Sequence, residues 1–220
     1  TPLPLCVYGL ESTMSPELSR DDVFRIETRR LWLRWPRLAD AAAIARQAGA
    51  QGITEGVKHP PLPFSDADAA TAILKARQTN ADGTGLTLAM AANSRPEEAI
   101  GLVSVLPGRR PVPDLSIWIG NGYWGKGLAT EGAQAIIDIT FGLTGLKALG
   151  AAVAPANEGA RRVLKRCGFE LIGTGMMDAP ARGGAHPGDF YRLERATWSS
   201  LKGWRSPRVI DGRQMEAAIA

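Results

Sequence analysis

Soft metal ligands are scarce in this sequence: 220 residues hold two histidines and two cysteines. His59, His186, Cys6 and Cys167 are scattered, and no spacing among them resembles a zinc site, so no metal is expected. So few cysteines also exclude a disulfide framework and suit a reducing, cytoplasmic setting. Cys167 falls at an apolar position of a helical pattern, where a small buried thiol is the common case and a nucleophile the rare one. No apolar run is long enough to cross a bilayer, so no membrane partner is expected. The opening TPLPLCVYGLESTM lacks the basic start and clear apolar stretch of a secretory signal, and none is expected. Neither sign of charge dominates: 26 basic residues face 22 acidic ones, a net +4. That mild excess suits a polyanionic partner, nucleic acid or a phosphate-bearing cofactor, without choosing between them, and no nucleic-acid motif is present. Internal repeats and low-complexity blocks are missing too.

What is present suits one domain with modest tails, at 45% hydrophobic content. Residues 1–22 are mixed and Pro-containing, and poor order is expected there. LWLRW (31–35) alternates as a strand, with Leu31, Leu33 and Trp35 on one face. Asp40 is placed to cap a helix through the alanines to Gly49. After the Pro-rich KHPPLPF (58–64), Ser65 and Asp68 open a second helix with a capping-box-like start, predicted to run to about Gln78. Three strand-like runs follow, 86–91, 99–106 and 114–120, separated by turn-rich NSRPEE and PGRRPVP, which predicts an antiparallel meander. A helix from Leu128 to about Phe141 has Leu128, Ala133, Ile136, Ile137 and Thr140 on its inner face. Residues 147–155 read as a buried strand. Asn157 caps a helix ending at Gly168, and 169–175 and 189–196 close the sheet.

The chemistry is expected at DLSIWIGNGYWGKGLATEG (114–132), where a strand enters a loop of small residues and the loop enters a helix. Free backbone N–H groups at such a helix start are donors for phosphate oxygens. Gly125 and Gly127 let the backbone approach a ligand, and Lys126 adds a cation. GNGYWG (120–125) matches the dinucleotide fingerprint G-x-G-x-x-G, but several strands precede it and Asp138, at about the right distance for the acidic partner, falls inside the helix. GNGYWGKG (120–127) matches the nucleotide-triphosphate loop except that Gly127 stands where a hydroxyl must reach magnesium. A tight turn would also account for the two glycines taken alone.

The segment resembles the pyrophosphate loop of the GNAT superfamily, in the branch with the ribosomal-protein acetyltransferases of the RimJ/RimL type. Tyr123, Trp124, Gly125, Lys126, Gly127, Ala129, Thr130 and Glu131 match in register. PANEGARRVLKRCGFELIGTG (155–175) is similar to the family's Asn-led helix, and RRLWLR (29–34), the HPPLPF region and DFYRLERATW (189–198) fit the same pattern. The resemblance implies an α+β GNAT fold: a mixed, mostly antiparallel twisted sheet flanked by helices, with a splayed central strand pair. It implies a GNAT domain over 23–198, with 1–22 and 199–220 as tails; from the residues themselves, Trp198 and Trp204 are candidates to anchor part of the last stretch. It implies an N-acetyltransferase using acetyl-CoA, with a protein N-terminus or a small molecule as the amine acceptor, and it leaves a homodimer open.

By the same resemblance the cofactor contacts are Trp118, Ile119, Trp124, Gly125, Lys126, Gly127, Leu128, Ala129, Thr130, Asn157, Arg161 and Arg162. The strand 114–120 would splay from 147–154 to admit the pantetheine arm, and backbone N–H groups near Trp118 and Ile119 would face the thioester carbonyl. Arg161 with Lys165, and Arg162 with Arg166, form a basic flank that could equally be a solvated face. Capping alone would explain Asn157. Asp114 stands where the branch carries Glu and is the candidate base, acting through water. A turn former after Pro113 is an equal alternative. Ala160 stands where the branch often has a proton-donating Ser; Tyr191 is the candidate acid if its strand reaches the site, with a buried structural tyrosine as the favoured alternative. Trp35, His59 and Phe64 are candidates for the acceptor wall, and core or surface packing is an equal alternative for each. The rivals are an acyl-CoA-binding protein with little catalysis, motivated by Ala160, and a nucleic-acid module, motivated only by the basic balance.

Overall fold

The computed structural model describes residues 25–49, 64–108, 110–179, 184–201 and 208–210. Among them nine strands form one sheet, in the order β7-β8-β6-β5-β4-β3-β2-β1-β9. The strands are β1 Arg25–Glu27, β2 Leu31–Arg34, β3 Leu86–Ala92, β4 Arg95–Leu106, β5 Asp114–Ile119, β6 Ala148–Val153, β7 Glu170–Ala179, β8 Gly184–Glu194 and β9 Arg208–Ile210. Every neighbouring pair is antiparallel except β5 and β6, which are parallel. The expected mixed, mostly antiparallel α+β architecture is therefore present. Strand β9, inside the stretch expected as a tail, pairs with β1, while Trp204 and residues 1–22 lie outside the described residues.

Five helices cover the sheet among the described residues: α1 Ala41–Ala48, α2 Asp66–Ala81, α3 Leu128–Leu143, α4 Glu158–Arg166 and α5 Arg195–Ser200. The larger core lies between one sheet face and α3, α4 and α5; Leu31, Leu33, Ile136, Ile137, Phe141, Leu149, Leu164 and Leu193 fill it. A smaller cluster beneath α1 and α2 joins Ile44, Ala69 and Ile73 to Ala89 and Ala99 of the sheet. The alternation read in β2 holds, with Leu31 and Leu33 fully buried and Trp32 half-buried. Trp198 of α5 packs on Phe141, ring centroids 5.2 Å apart, and donates its indole N–H to Asp138 Oδ1 at 2.6 Å. Asp138 thus ties α5 to α3.

Three local readings change in the folded chain. Asp40 does not cap α1 with its side chain. Its carboxylate takes both Nη atoms of Arg34 (2.7 and 2.8 Å) and the Arg37 amide (2.7 Å). The reason is burial: Arg34 is 4% and Asp40 1% exposed, and a cation held there requires an anion. Second, α2 continues to Ala81, because buried Asn80 donates to Thr87 O (2.8 Å) and accepts from Thr87 N (2.7 Å), docking the last turn on β3. The Ser65–Asp68 capping box forms as read. Third, β4 begins at Arg95. The register jumps from Ala92↔Arg95 to Ala91↔Ala99, so Pro96 sits in a bulge where its missing N–H costs nothing.

Candidate active site

Strands β5 and β6 share one pair, Asp114↔Gly150, with the Gly150 amide donating to Pro113 O at 2.8 Å. Beyond it the two strands diverge, while β5 stays paired with β4 over its whole length and β6 with β8 over its own. The splay expected between 114–120 and 147–154 is therefore present, opening from Asp114 towards Ile119.

Strand parity decides which backbone groups line the gap. The Gly120 amide donates to Ile100 O (2.8 Å), which makes the even-numbered residues of β5 those that bond to β4. The amide of Trp118 is thereby turned to β4, and those of Ile117 and Ile119 face β6. Ile119 keeps its expected place on the gap. The Trp118 amide does not face the gap as expected and the Ile117 amide does, because adjacent peptides on a strand point to opposite neighbours. The indole of Trp118 instead joins the cluster beneath α1 and α2. The outward Ile119 carbonyl accepts from the indole N–H of Trp124 at 2.8 Å, which anchors the exposed Trp124 beside the loop.

A short 3-10 turn, Asn121–Tyr123, leads from β5 into the glycine loop. Gly125 and Gly127 have φ of +73° and +75°, left-handed values that suit glycine, and a methyl group on Gly125 would meet nothing within 4 Å. Gly127 is the N-cap of α3, and the first amide bonded back within that helix start is Glu131 N, to Gly127 O at 3.1 Å. The amides of Leu128, Ala129 and Thr130 in that first turn have no helical carbonyl behind them. The side chain of Leu128 is buried and that of Ala129 packs on the core, so these residues offer backbone rather than side chain. Lys126 folds back, donating to Gly122 O (2.8 Å) over the Tyr123 ring.

On the opposite bank, Asn157 Oδ1 accepts from Ala160 N at 3.0 Å and starts α4, and Gly168 ends it at φ +84°. The Arg161 Nε donates to Tyr191 Oη (3.3 Å) and lies 3.5 Å from buried Asp189. Arg162 is exposed and lies 3.4 Å from Glu158 one turn back. Tyr191 is buried on β8 opposite Ala151. Asp114, at the closed end of the splay, is ion-paired with Arg110, whose guanidinium also lies 5.1 Å from the Phe190 ring centroid. A Cβ on Gly150 would come within 2.5 Å of Asp114 Oδ1 and 2.7 Å of Arg110 Nη2, so only glycine leaves room for the pair. Arg110, Ile117 and Glu131 were not among the sequence candidates. Trp35 is buried in the larger core, Phe64 packs on the smaller cluster, and His59 lies outside the described residues.

These features fit the diphosphate and pantetheine of an acyl-CoA: amides at a helix start with no helical carbonyl behind them, two φ-positive glycines with open space beside Gly125, and a strand edge paired only at Asp114. Among the described residues no helix is long and apolar enough to cross a membrane, and no three His, Cys, Asp or Glu side chains gather as metal ligands.

Comparison with known proteins agrees with this geometry. Residues 30–170 match the acetyltransferase (GNAT) domain. RimJ of Mycobacterium smegmatis, solved with a CoA-disulfide, superposes with a TM-score of 0.68 at 19% identity, covering 86% of this chain and 92% of its own. A ribosomal-protein-S5-alanine acetyltransferase from Vibrio fischeri gives 0.66 at 20% identity, over 79% and 98% of the two chains. RimL, a ribosomal L7/L12 α-N-protein acetyltransferase solved with coenzyme A, gives 0.65 at 16%, over 77% and 97%. Among curated protein sequences none matches. Because the domain match spans well over half of the residues, the chain belongs to the GNAT acetyltransferases, and its fold is the one they share with RimJ and RimL.

Proposed function

We propose that this protein transfers an acetyl group from acetyl-CoA to a primary amine, either a small molecule or a protein N-terminus. The observation that carries the reading is the single β5–β6 pair beside an unbonded helix start. When bound, acetyl-CoA would supply the activated thioester. The chain's own part is to hold and orient it. The amides between Gly125 and Thr130 take the diphosphate. Those of Ile117 and Ile119 offer the edge along which a pantetheine arm lies like an added strand, with a donor for the developing oxyanion. Asn157 faces the same arm.

Asp114 is the proposed base, drawing a proton from the acceptor amine through water. Its ion pair with Arg110 holds the carboxylate at the closed end of the splay. Tyr191 is the proposed acid for the departing thiolate, its hydroxyl oriented by the hydrogen bond it accepts from Arg161. Trp118 and Phe64, on the face beneath α1 and α2, are proposed for the acceptor side. Incubation with acetyl-CoA and a panel of small amines and peptide N-termini, read by thiol release, tests the assignment. Absence of CoA binding would remove it. Ala160, half-buried in the first turn of α4 with no proton to give, supports the second reading, acyl-CoA binding without turnover. Tight CoA binding with no acetylation of any amine selects that alternative.

A further inference from the structure

The turn between β1 and β2 reaches across the sheet end to the phosphate loop. Thr28 Oγ1 and the Arg30 amide both donate to Glu131 Oε1, each at 2.7 Å. The Arg30 side chain donates through Nε to Glu131 Oε2 and through Nη1 to the Lys126 carbonyl, again at 2.7 Å each. One guanidinium therefore joins a carboxylate at the start of α3 to a carbonyl of the glycine loop before it. Its remaining nitrogen, Nη2, would lie 3.5 Å from a methyl group placed on Gly127.

Glu131 poses an electrostatic problem that this clamp resolves. A helix start favours a carboxylate, and the same field is what a diphosphate uses, so a bare carboxylate there opposes the anion. Burial works against ionisation of Glu131. The hydrogen bonds from Thr28 and Arg30 and the guanidinium's charge outweigh it and hold the carboxyl below its ordinary range. The group is thus ionised at neutral pH and needs a cation beside it. The second bond acts on geometry. In a trans peptide the N–H points opposite to the C=O. With the Lys126 carbonyl turned to Arg30, the Gly127 amide is turned away from it, towards the open side of the loop.

We infer that Arg30 is a positioning residue for the cofactor's diphosphate: it fixes the Lys126–Gly127 peptide with its N–H outward and cancels the charge of Glu131. The inference rests on the acetyl-CoA reading above. Arg30 touches no reacting atom, and its effect is confined to ligands that carry the diphosphate.

Arg30→Gln is titrated calorimetrically with CoA and with dephospho-CoA, and pantetheine binding is followed by ligand-observed NMR. CoA and dephospho-CoA weaken alike, by about tenfold (~1.4 kcal/mol), and pantetheine binds as it does to the unaltered protein. Unchanged CoA affinity overturns the inference. So does a loss shared with pantetheine, which is general loosening, or a loss with CoA alone, which assigns Arg30 to the 3′-phosphate. Should Arg30→Gln fail to fold, Arg30→Lys replaces it. Lysine keeps the charge but cannot bridge Glu131 and the Lys126 carbonyl in the same fork, so a smaller loss with the same ligand pattern is expected, and the same outcomes overturn it. Failure of the unaltered protein to bind CoA would instead defeat the cofactor reading itself, which the first titration distinguishes.

Discussion

Replacing Gly125 by alanine separates the glycine's role in folding from its role in holding an anion. At φ +73° an added Cβ carries the left-handed penalty, about 1–2 kcal/mol. Part is offset because alanine restricts the unfolded chain, worth about 0.4–1 kcal/mol. No steric cost adds to this, since nothing lies within 4 Å of the new methyl group. A net loss near 1 kcal/mol lowers Tm by roughly 2–4 °C in a chain of this size. The open space is where a diphosphate would rest, so the same methyl group intrudes on the ligand and tilts its amide donors. Losing one hydrogen bond to a charged group costs about 1.5–3 kcal/mol, between roughly tenfold and a hundredfold in CoA affinity. Gly142→Ala is the control: it is exposed near the end of α3, has open space around it and no left-handed φ. That change raises stability by up to about 1 kcal/mol and leaves CoA affinity alone. Differential scanning fluorimetry and calorimetric titration read both quantities. If Gly125→Ala loses the expected stability but binds CoA as tightly as before, no diphosphate rests on this loop.

Three further outcomes are expected. Asp40→Ala leaves buried Arg34 without its carboxylate and destabilises by about 3–5 kcal/mol in urea denaturation; a loss under 1 kcal/mol would mean the pair is not held as described. Asp114→Asn keeps the shape at the closed end of the splay but removes the proposed base, and kcat is expected to fall by roughly a hundredfold or more. Turnover within twofold of the original would eliminate Asp114 from proton transfer. Burial, aided by the nearby charge of Asp138, pushes the Cys167 thiol up to about 12, so a disulfide reagent at pH 8 modifies it only after unfolding, and rapid reaction in the native protein would contradict the packing of α4.

Much of the fold was legible because its signals are local. Ser65 and Asp68 cap α2, Asn157 caps α4 and Gly168 ends it, each within a few residues of the groups it satisfies. The alternation at 31–34 marks the buried face of β2, and the glycines at 125 and 127 mark the left-handed turns that lead into α3. Even the splay was implied by the likeness of 114–132 and 155–175 to a known family.

Pairings between distant residues were decided by the tertiary structure alone. Asp40 looks like a cap until Arg34 is found buried beside it. Arg161 reads as part of a basic helix flank, and only β8 brings Asp189 and Tyr191 to it. Ile117 rather than Trp118 turns its amide to the gap because of the β4–β5 register, which no window of sequence contains. Arg30 and Glu131 are separated by 101 positions, and only the packing of the β1–β2 turn against α3 joins them. Hydrogen-bonding types and backbone preferences are properties of residues and their near neighbours, and the sequence determines those. Which donor meets which acceptor across the sheet depends on register and helix placement, which exist only once the whole core has formed.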